Sequence, residues 1–418
     1  MTVRRVGAVG ATGIGVGSIL GAGVFVVWGP AATHAGSALV WAVLLAGLVA
    51  ALNAGSTAHL AAVHPVAGGA YAYGRAELGP WPGFVAGAGF VVGKTASIAA
   101  IALAIGEYWW PGHAPVVATA AIVASWALNS RGVTRTAAAS VVVATAVVAA
   151  LIAVVVAASG APARDAGSSW LAAPATAFGG HVGGVLAASA LIFFAFAGYA
   201  RIATLGEEVR RPARTIPLAI ALALGIALAC YVALALVLPA VLGEDLAWST
   251  TPLADAVEGT WLPVGVVTAA AVAGASGSLL ALTAGVGRTA MAMAREGDLP
   301  RTLARVNARA VPVVAEGAAA ASALVLVWAG GLAFAIAMSS FAVLLYYAVA
   351  GASAFRAAGA GHVASWRMPR VASAAGTVAC VTLMASLPWV ATVTAAAVLA
   401  VAGAARAVAG NAVGRDVR

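Results

Sequence analysis

Charge is what this chain has least of. Aspartate, glutamate, lysine and arginine make up only 8% of its 418 residues, where soluble domains average about 25%. A soluble surface cannot be built from so few charges. With 63% hydrophobic residues and a mean hydropathy of +1.02, the class is polytopic membrane protein. Cysteine is almost absent, and Cys230 and Cys380 both fall inside apolar stretches, which excludes a disulfide scaffold and leaves packing thiols. No Ser/His/Asp set, H-E-x-x-H or phosphate loop occurs, so no enzyme is expected. No ligand set has metal spacing, so no metal and no cofactor are expected. There is no lipidation signal, and the first apolar segment, residues 6–32, exceeds the roughly 7–15 apolar residues of a signal peptide. The net charge of +9 would point to nucleic acid in a soluble protein. Here the positives lie in short connections between apolar runs, where they set topology, and no nucleic-acid partner is expected.

What the chain does have is apolar runs of spanning length, about 20 residues each. Twelve are predicted, near 7–31, 37–62, 81–108, 114–128, 136–158, 182–205, 217–241, 262–293, 312–329, 332–356, 371–387 and 389–409. The basic residues test the count. The even-numbered connections carry Arg75, Arg131, Arg135, Arg210, Arg211, Arg214, Arg295, Arg301, Arg305, Arg309, Arg356, Arg367 and Arg370. The odd ones carry Arg164 alone, with Glu107, Asp165, Glu244, Asp245, Asp255 and Glu258. That asymmetry predicts both termini in the cytoplasm of a cell (cytoplasmic) membrane protein. The stretches 159–181 and 242–261 are expected as extracellular loops, and no soluble domain is expected.

Two spans are interrupted by glycine at mid-membrane depth: GVGSILGAG at 15–23 and FFAFAGYAR at 193–201. Unwound backbone is tolerated in hydrocarbon only where it lines a cavity or a ligand. They open spans one and six, so spans one to five and six to ten are matching units. An odd number of spans per unit makes the second inverted relative to the first. The expected fold is therefore all-α, with a 5+5 inverted repeat (residues 6–158 and 182–356), discontinuous spans one and six, and two extra helices at 371–409, in a single transmembrane domain over 1–418. Such paired breaks point to a secondary transporter with its site at the midplane.

The amides of Gly21, Ala22 and Gly23 would face an anion from a half-helix N-terminus. Carbonyls near Ser18, Ile19, Phe194 and Ala197 would accept from an ammonium group. Glycine, including Gly198 at the second break, would let backbone approach a ligand; its competing reading is close helix packing. Phe194, Phe196 and Tyr199 flank the second break. Glu207, Glu208, Arg210 and Arg211 read as gate or interface ion pairs where Pro212 and Pro217 stop the helix. Ser276, Ser278 and Thr283 of span eight could offer hydroxyls toward span one, or bond their own backbone.

These segments resemble the amino acid–polyamine–organocation superfamily of permeases. GVGSILGAGVF at 15–25 is similar to its first-helix signature, and FFAFAGYARIATLGEEVRRPARTIPLAI at 193–220 to its sixth. GRTAMAMAREGDLPRTLARVNARAVP at 287–312 is similar to the close of its eighth helix, and PVAGGAYAYGRAELGPWPGF at 65–84 to its second-to-third connection. The four fall in order and cover roughly residues 7–356. The resemblance implies the LeuT-type fold and alternating-access transport of amino acids or amines. It also implies a gating role for Phe194 and an ion site near Ser276 and Ser278, while Tyr199, beside the second break, is a further candidate substrate contact. Many sodium-independent relatives carry a lysine in helix five; the matching position here, near Val147, lies in a run of alanine and valine.

Lys94 is the chain's single lysine and sits midway along span three, roughly 20 Å from either end. That is too far to snorkel. An ionisable residue at that depth is functional by default, and lysine can lose its proton on desolvation while arginine effectively cannot. By resemblance, Lys94 aligns with a helix-three position lining the substrate side-chain subsite. Two roles stay open: a proton-switched cation standing in for a coupling ion, or a partner for an anionic or carbonyl group of the substrate. The expected function is secondary transport of an amino acid or related amine, proton-coupled or by exchange, by a monomer or homodimer in the lipid bilayer. The alternatives are another organic solute, such as a polyamine or nucleobase, or a non-transporting sensor on the same fold.

Overall fold

Among the described residues, each predicted span is built from helix. The computed structural model describes residues 7–21, 23–64, 68–132, 137–161, 182–203, 209–210, 212–360 and 367–415, and among them no β-strand is formed. The first span is split into α1 (Ala8–Ile19), α2 (Gly23–Val26) and α3 (Trp28–Ala35). α2 and α3 run on through Val27, which is itself in the right-handed helical region. There follow α4 (Leu39–Val63), the short α5 (Ala70–Glu77), α6 (Pro80–Trp109), α7 (Ala114–Ser130) and α8 (Ala137–Ser159). The second half begins with α9 (Val182–Phe196), a 3₁₀ turn at Ala197–Tyr199 and α10 (Ala200–Ala203). It continues with α11 (Pro212–Leu242), α12 (Pro252–Asp255), α13 (Val264–Arg295), α14 (Val313–Ala329) and α15 (Gly331–Gly359). α16 (Arg370–Ser386) and α17 (Trp389–Arg415) close the chain.

Nine helical runs among the described residues are long and apolar enough to cross a bilayer, and α7, α14 and α16 are shorter apolar helices of 17 residues. At about 1.5 Å per residue, 17 residues span about 25 Å, the lower limit for a hydrocarbon core near 30 Å.

Packing is reciprocal between the halves. α1 lies against α11 and α8, while α9 lies against α4 and α15; α6 packs on α15 and α7, while α13 packs on α8 and α14. Three pairs join like to like: α4 with α11, α6 with α13, and α7 with α14. α16 leans on α15, α4 and α9, and α17 on α15 and α6. Hydroxyl, amide and thiol pairs stitch these seams. Asn53 Nδ2 donates to Cys380 Sγ at 3.0 Å, Ser56 to Ser373 at 3.3 Å, and Ser97 meets Ser339 at 2.7 Å. Neutral pairs of this kind satisfy buried polar groups without the desolvation cost of ions.

Connections of one parity gather on one side. Asn307, after α13, donates to the Ser130 carbonyl at the end of α7 at 2.8 Å. Arg75, before α6, pairs with Asp298 at 2.9 Å, and Arg406 of α17 pairs with the same carboxylate at 2.7 Å. This is the arginine-rich side. On the opposite side Thr250 donates to Glu107 at 3.0 Å. The stretch 242–261 is more than a loop. It carries a 3₁₀ helix at Gly243–Ala247 and α12, buries Leu246 and Leu253, and is tied by Ser249 and Thr251 to Asp255. Residues 162–181 of the other expected loop lie outside the described residues.

Candidate functional site

The two breaks meet backbone to backbone. A Cβ on Gly198 would collide with the Ser18 carbonyl oxygen, its carbon and the Ile19 nitrogen. At the first break, a Cβ on Gly21 would coincide with Ser278 Oγ of α13, and one on Gly23 would lie 2.6 Å from Ala195 Cα of α9. These glycines therefore allow close approach between chain segments. A residue with a side chain at Gly198 would push the halves apart.

Interrupting a helix frees carbonyls, and the protein itself answers several of them. Ser18 Oγ itself stays within α1, donating back to the Ile14 carbonyl at 2.8 Å. Tyr231 of α11 donates toward both Ile19 O at 3.2 Å and Ala195 O at 3.0 Å, one acceptor in each broken span. Ala197 O receives Lys94 Nζ at 3.4 Å and the Tyr347 hydroxyl at 3.3 Å. The Ile19 and Ala197 carbonyls are thus already met from within the protein. Buried tyrosine hydroxyls need acceptors, and the breaks supply them.

Lys94 is partly buried and carries the one ammonium at this depth. Aromatic rings crowd the same carbonyl. Tyr199 stacks on Tyr347 with centroids 5.0 Å apart, Phe193 meets Tyr347 edge-on at 5.7 Å, and Tyr346 bridges Tyr347 to Phe90. Phe194 is 9% exposed, and its ring edge lies 3.3 Å from where a Cβ on Gly23 would stand. It abuts the first break. Val147 is buried on α8, its methyl 3.1 Å from the Cβ position of Gly274, which itself lies 2.7 Å from Gly21 O. The apolar residue at the position of the family's lysine is therefore packed beside the first break.

Not every expected residue joins the site. Ser276 is exposed. It lies two residues from Ser278, about 200° around the helix, so it turns away from α1 and only Ser278 reaches the break. Thr283 instead bonds its own backbone at Leu279 and receives Ser125 of α7. Ala22, Glu207, Glu208 and Arg211 lie outside the described residues. Sequence reading missed Tyr231, Tyr346 and Tyr347. The available signal was a phenol hydroxyl midway along an apolar span, where it must find a partner.

A second constellation sits on the arginine-rich side. Asp298, 3% exposed, accepts from Arg75 at 2.9 Å, Arg406 at 2.7 Å and Tyr71 at 2.8 Å. The Arg406 guanidinium also lies 4.5 Å over Trp81 and 4.8 Å over Phe84. Burial, and then the Asp298 carboxylate, push the Tyr71 hydroxyl above the usual phenol range, so it stays a donor.

With this geometry in view, comparison with known proteins decides the family. Residues 6–407 match the family described as amino acid permease. The chain belongs to the amino acid permease family. It is a transporter, and a multi-pass membrane protein of the superfamily that its glycine breaks resemble. An uncharacterised transporter of Mycobacterium tuberculosis is 48% identical over 407 residues, covering 96% of this chain and 90% of that one. The methylthioribose transporter of Bacillus subtilis is 27% identical, covering 73% of this permease and 70% of its own length. The branched-chain amino acid permease BcaP of the same organism is 25% identical, with 73% and 70% covered.

Proposed function

We propose that this permease moves amino acids or related amines across the cytoplasmic membrane by alternating access, working as a carrier and not as an enzyme. The observation that carries the reading is the meeting of the two broken spans at Ser18 and Gly198, with the Lys94 ammonium on the Ala197 carbonyl. Broken helices that meet at the midplane of a membrane protein line a binding site. The reciprocal packing supports two inverted repeats, α1–α8 and α9–α15, within twelve spans in one domain, because the main contacts of α1 and α6 recur between the corresponding helices α9 and α13. The gathering of Arg75, Arg406 and Asn307 on one side supports that side, with both termini, as cytoplasmic.

In this reading Ser18, Ile19, Gly21, Ala22, Gly23, Ala197, Gly198 and Tyr199 frame the substrate, Phe194 covers it, and Ser278, Glu207 and Glu208 belong to coupling and gating. Lys94 carries the proton dependence of transport or pairs with an anionic or carbonyl group of the substrate. The test is uptake of labelled amino acids and amines into proteoliposomes with an inward proton gradient and no sodium. Saturable uptake of one chemical group, collapsing with the gradient, is expected; absence of uptake across the whole panel would contradict the reading.

A second reading, transport of an organic solute without an ammonium group, has its own observation. Lys94 and Tyr347 already occupy the Ala197 carbonyl, and Tyr231 occupies two others. Including a methylthio sugar in the same panel separates the two.

A further inference from the structure

Away from the breaks, on the arginine-rich side, an open groove of about 720 Å³ runs between the end of α15 and the start of α16. Its walls include Leu78, Ala352, Phe355 and Val378, and its charged end carries Arg356 and Arg370. The groove is amphiphilic along its length. From Arg370 to Val378 the helix advances about 12 Å, from two guanidinium groups into an apolar trough. Val378, which lines the trough, is 65% exposed, so the groove opens on the surface that faces acyl chains.

Both arginines are uncompensated, and Arg370 is also held in place. The Arg370 guanidinium lies 4.3 Å over the Phe355 ring. It also lies flat across Gly359, where a Cβ would meet its carbon and both terminal nitrogens at 3.2–3.4 Å. Two flat contacts hold the plane and leave the donor edge free, the geometry that suits a phosphate. Among the described residues, no carboxylate stands within ion-pair distance of Arg356 or Arg370, whereas Arg75 and Arg406 on the same side share Asp298. Arginines that served only to set topology would need neither the stacked floor nor the apolar trough.

We propose that this groove binds an anionic phospholipid of the surrounding leaflet, its phosphate on Arg356 and Arg370 and one acyl chain along Leu78, Ala352 and Val378. Basic pockets between membrane helices take anionic head groups in this way. The occupant would bridge α15, which packs on both α6 and α9, to α16, outside the two repeats. The site is independent of the transport reading, since it touches neither break.

The test is native mass spectrometry of the full-length protein in mixed micelles with phosphatidylglycerol or phosphatidylcholine, counting retained lipid. Wild type is expected to retain phosphatidylglycerol in preference. The Arg356→Gln/Arg370→Gln double variant should lose that preference by roughly 25-fold, at about fivefold per arginine. Arg301→Gln/Arg305→Gln, on the same side but outside the groove, should keep it. Val378→Trp fills the apolar end with both arginines intact, and should weaken retention too. Equal retention by the groove and control variants overturns the proposal, as does equal retention of the two lipids by wild type. Displacement of phosphatidylglycerol by millimolar inorganic phosphate, with Val378→Trp unaffected, would make the groove an anion site and overturn the lipid assignment.

Discussion

The permease joins its helices differently at two depths. At the breaks the joints are backbone and hydroxyl: Gly198 on the Ser18 carbonyl, Tyr231 shared by Ile19 and Ala195, Tyr347 and Lys94 on Ala197. At the arginine-rich end the joint is ionic: Asp298 holds Arg75, Arg406 and Tyr71 together. The contrast follows from where water is. Near the interface a guanidinium can be partly hydrated, with Arg75 28% and Arg406 14% exposed, so an ion cluster is affordable. At mid-depth an unpaired ion costs far more, and neutral donors on freed carbonyls do the work. Lys94 is the exception, and an exception at that depth is where function is expected.

Substitutions at each joint break or sharpen this comparison. The largest effect belongs to Gly198→Val, whose side chain would drive into Ser18 and Ile19. Transport is expected to vanish while the protein still purifies as a folded monodisperse species; uptake beside size-exclusion profiles checks it. Next is Lys94→Met, which should flatten the pH profile of uptake, with Lys94→Arg failing to restore it because arginine keeps its proton. Uptake and pH profile both unchanged in Lys94→Met would remove Lys94 from the mechanism.

At the ionic joint, Asp298→Ala strands two cations and should cost about 3–5 kcal/mol, the penalty for breaking a buried pair from one side. Thermal unfolding in detergent reads it, and Arg75→Gln should cost visibly less because Arg406 keeps its partner. Tyr231→Phe removes one hydroxyl from two buried carbonyls, for about 1–3 kcal/mol, and should slow transport as well, because those carbonyls belong to both breaks. The smallest effect is at Ser276→Ala. As an exposed position, it should stay within about 0.5 kcal/mol and leave uptake unchanged, while Ser278→Val should not.

Helix positions were legible because burial in lipid demands long apolar runs, and even the 17-residue α7, α14 and α16 stood out. The breaks were legible because glycine in such runs is costly unless used. What the sequence concealed was facing and partnership. Ser276 and Ser278 look equivalent in a helix whose apolar residues leave its inner face unmarked, and only the fold turns one outward. Tyr231 lies 212 positions from Ile19, and Tyr347 lies 150 from Ala197; no local pattern links such pairs. The Asp298 cluster was similarly hidden, since its arginines come from α5 and α17. The acidic 242–261 stretch read as a loop because its helices are too short for periodicity to mark.

The central claim is that the meeting point of the two breaks is the place where substrate passes. The most direct measurement is saturable uptake by wild type and Gly198→Val side by side in proteoliposomes of equal protein content, across the amino acid and amine panel. The account predicts uptake by wild type and none by a folded Gly198→Val protein. Wild-type rates from that variant would contradict it.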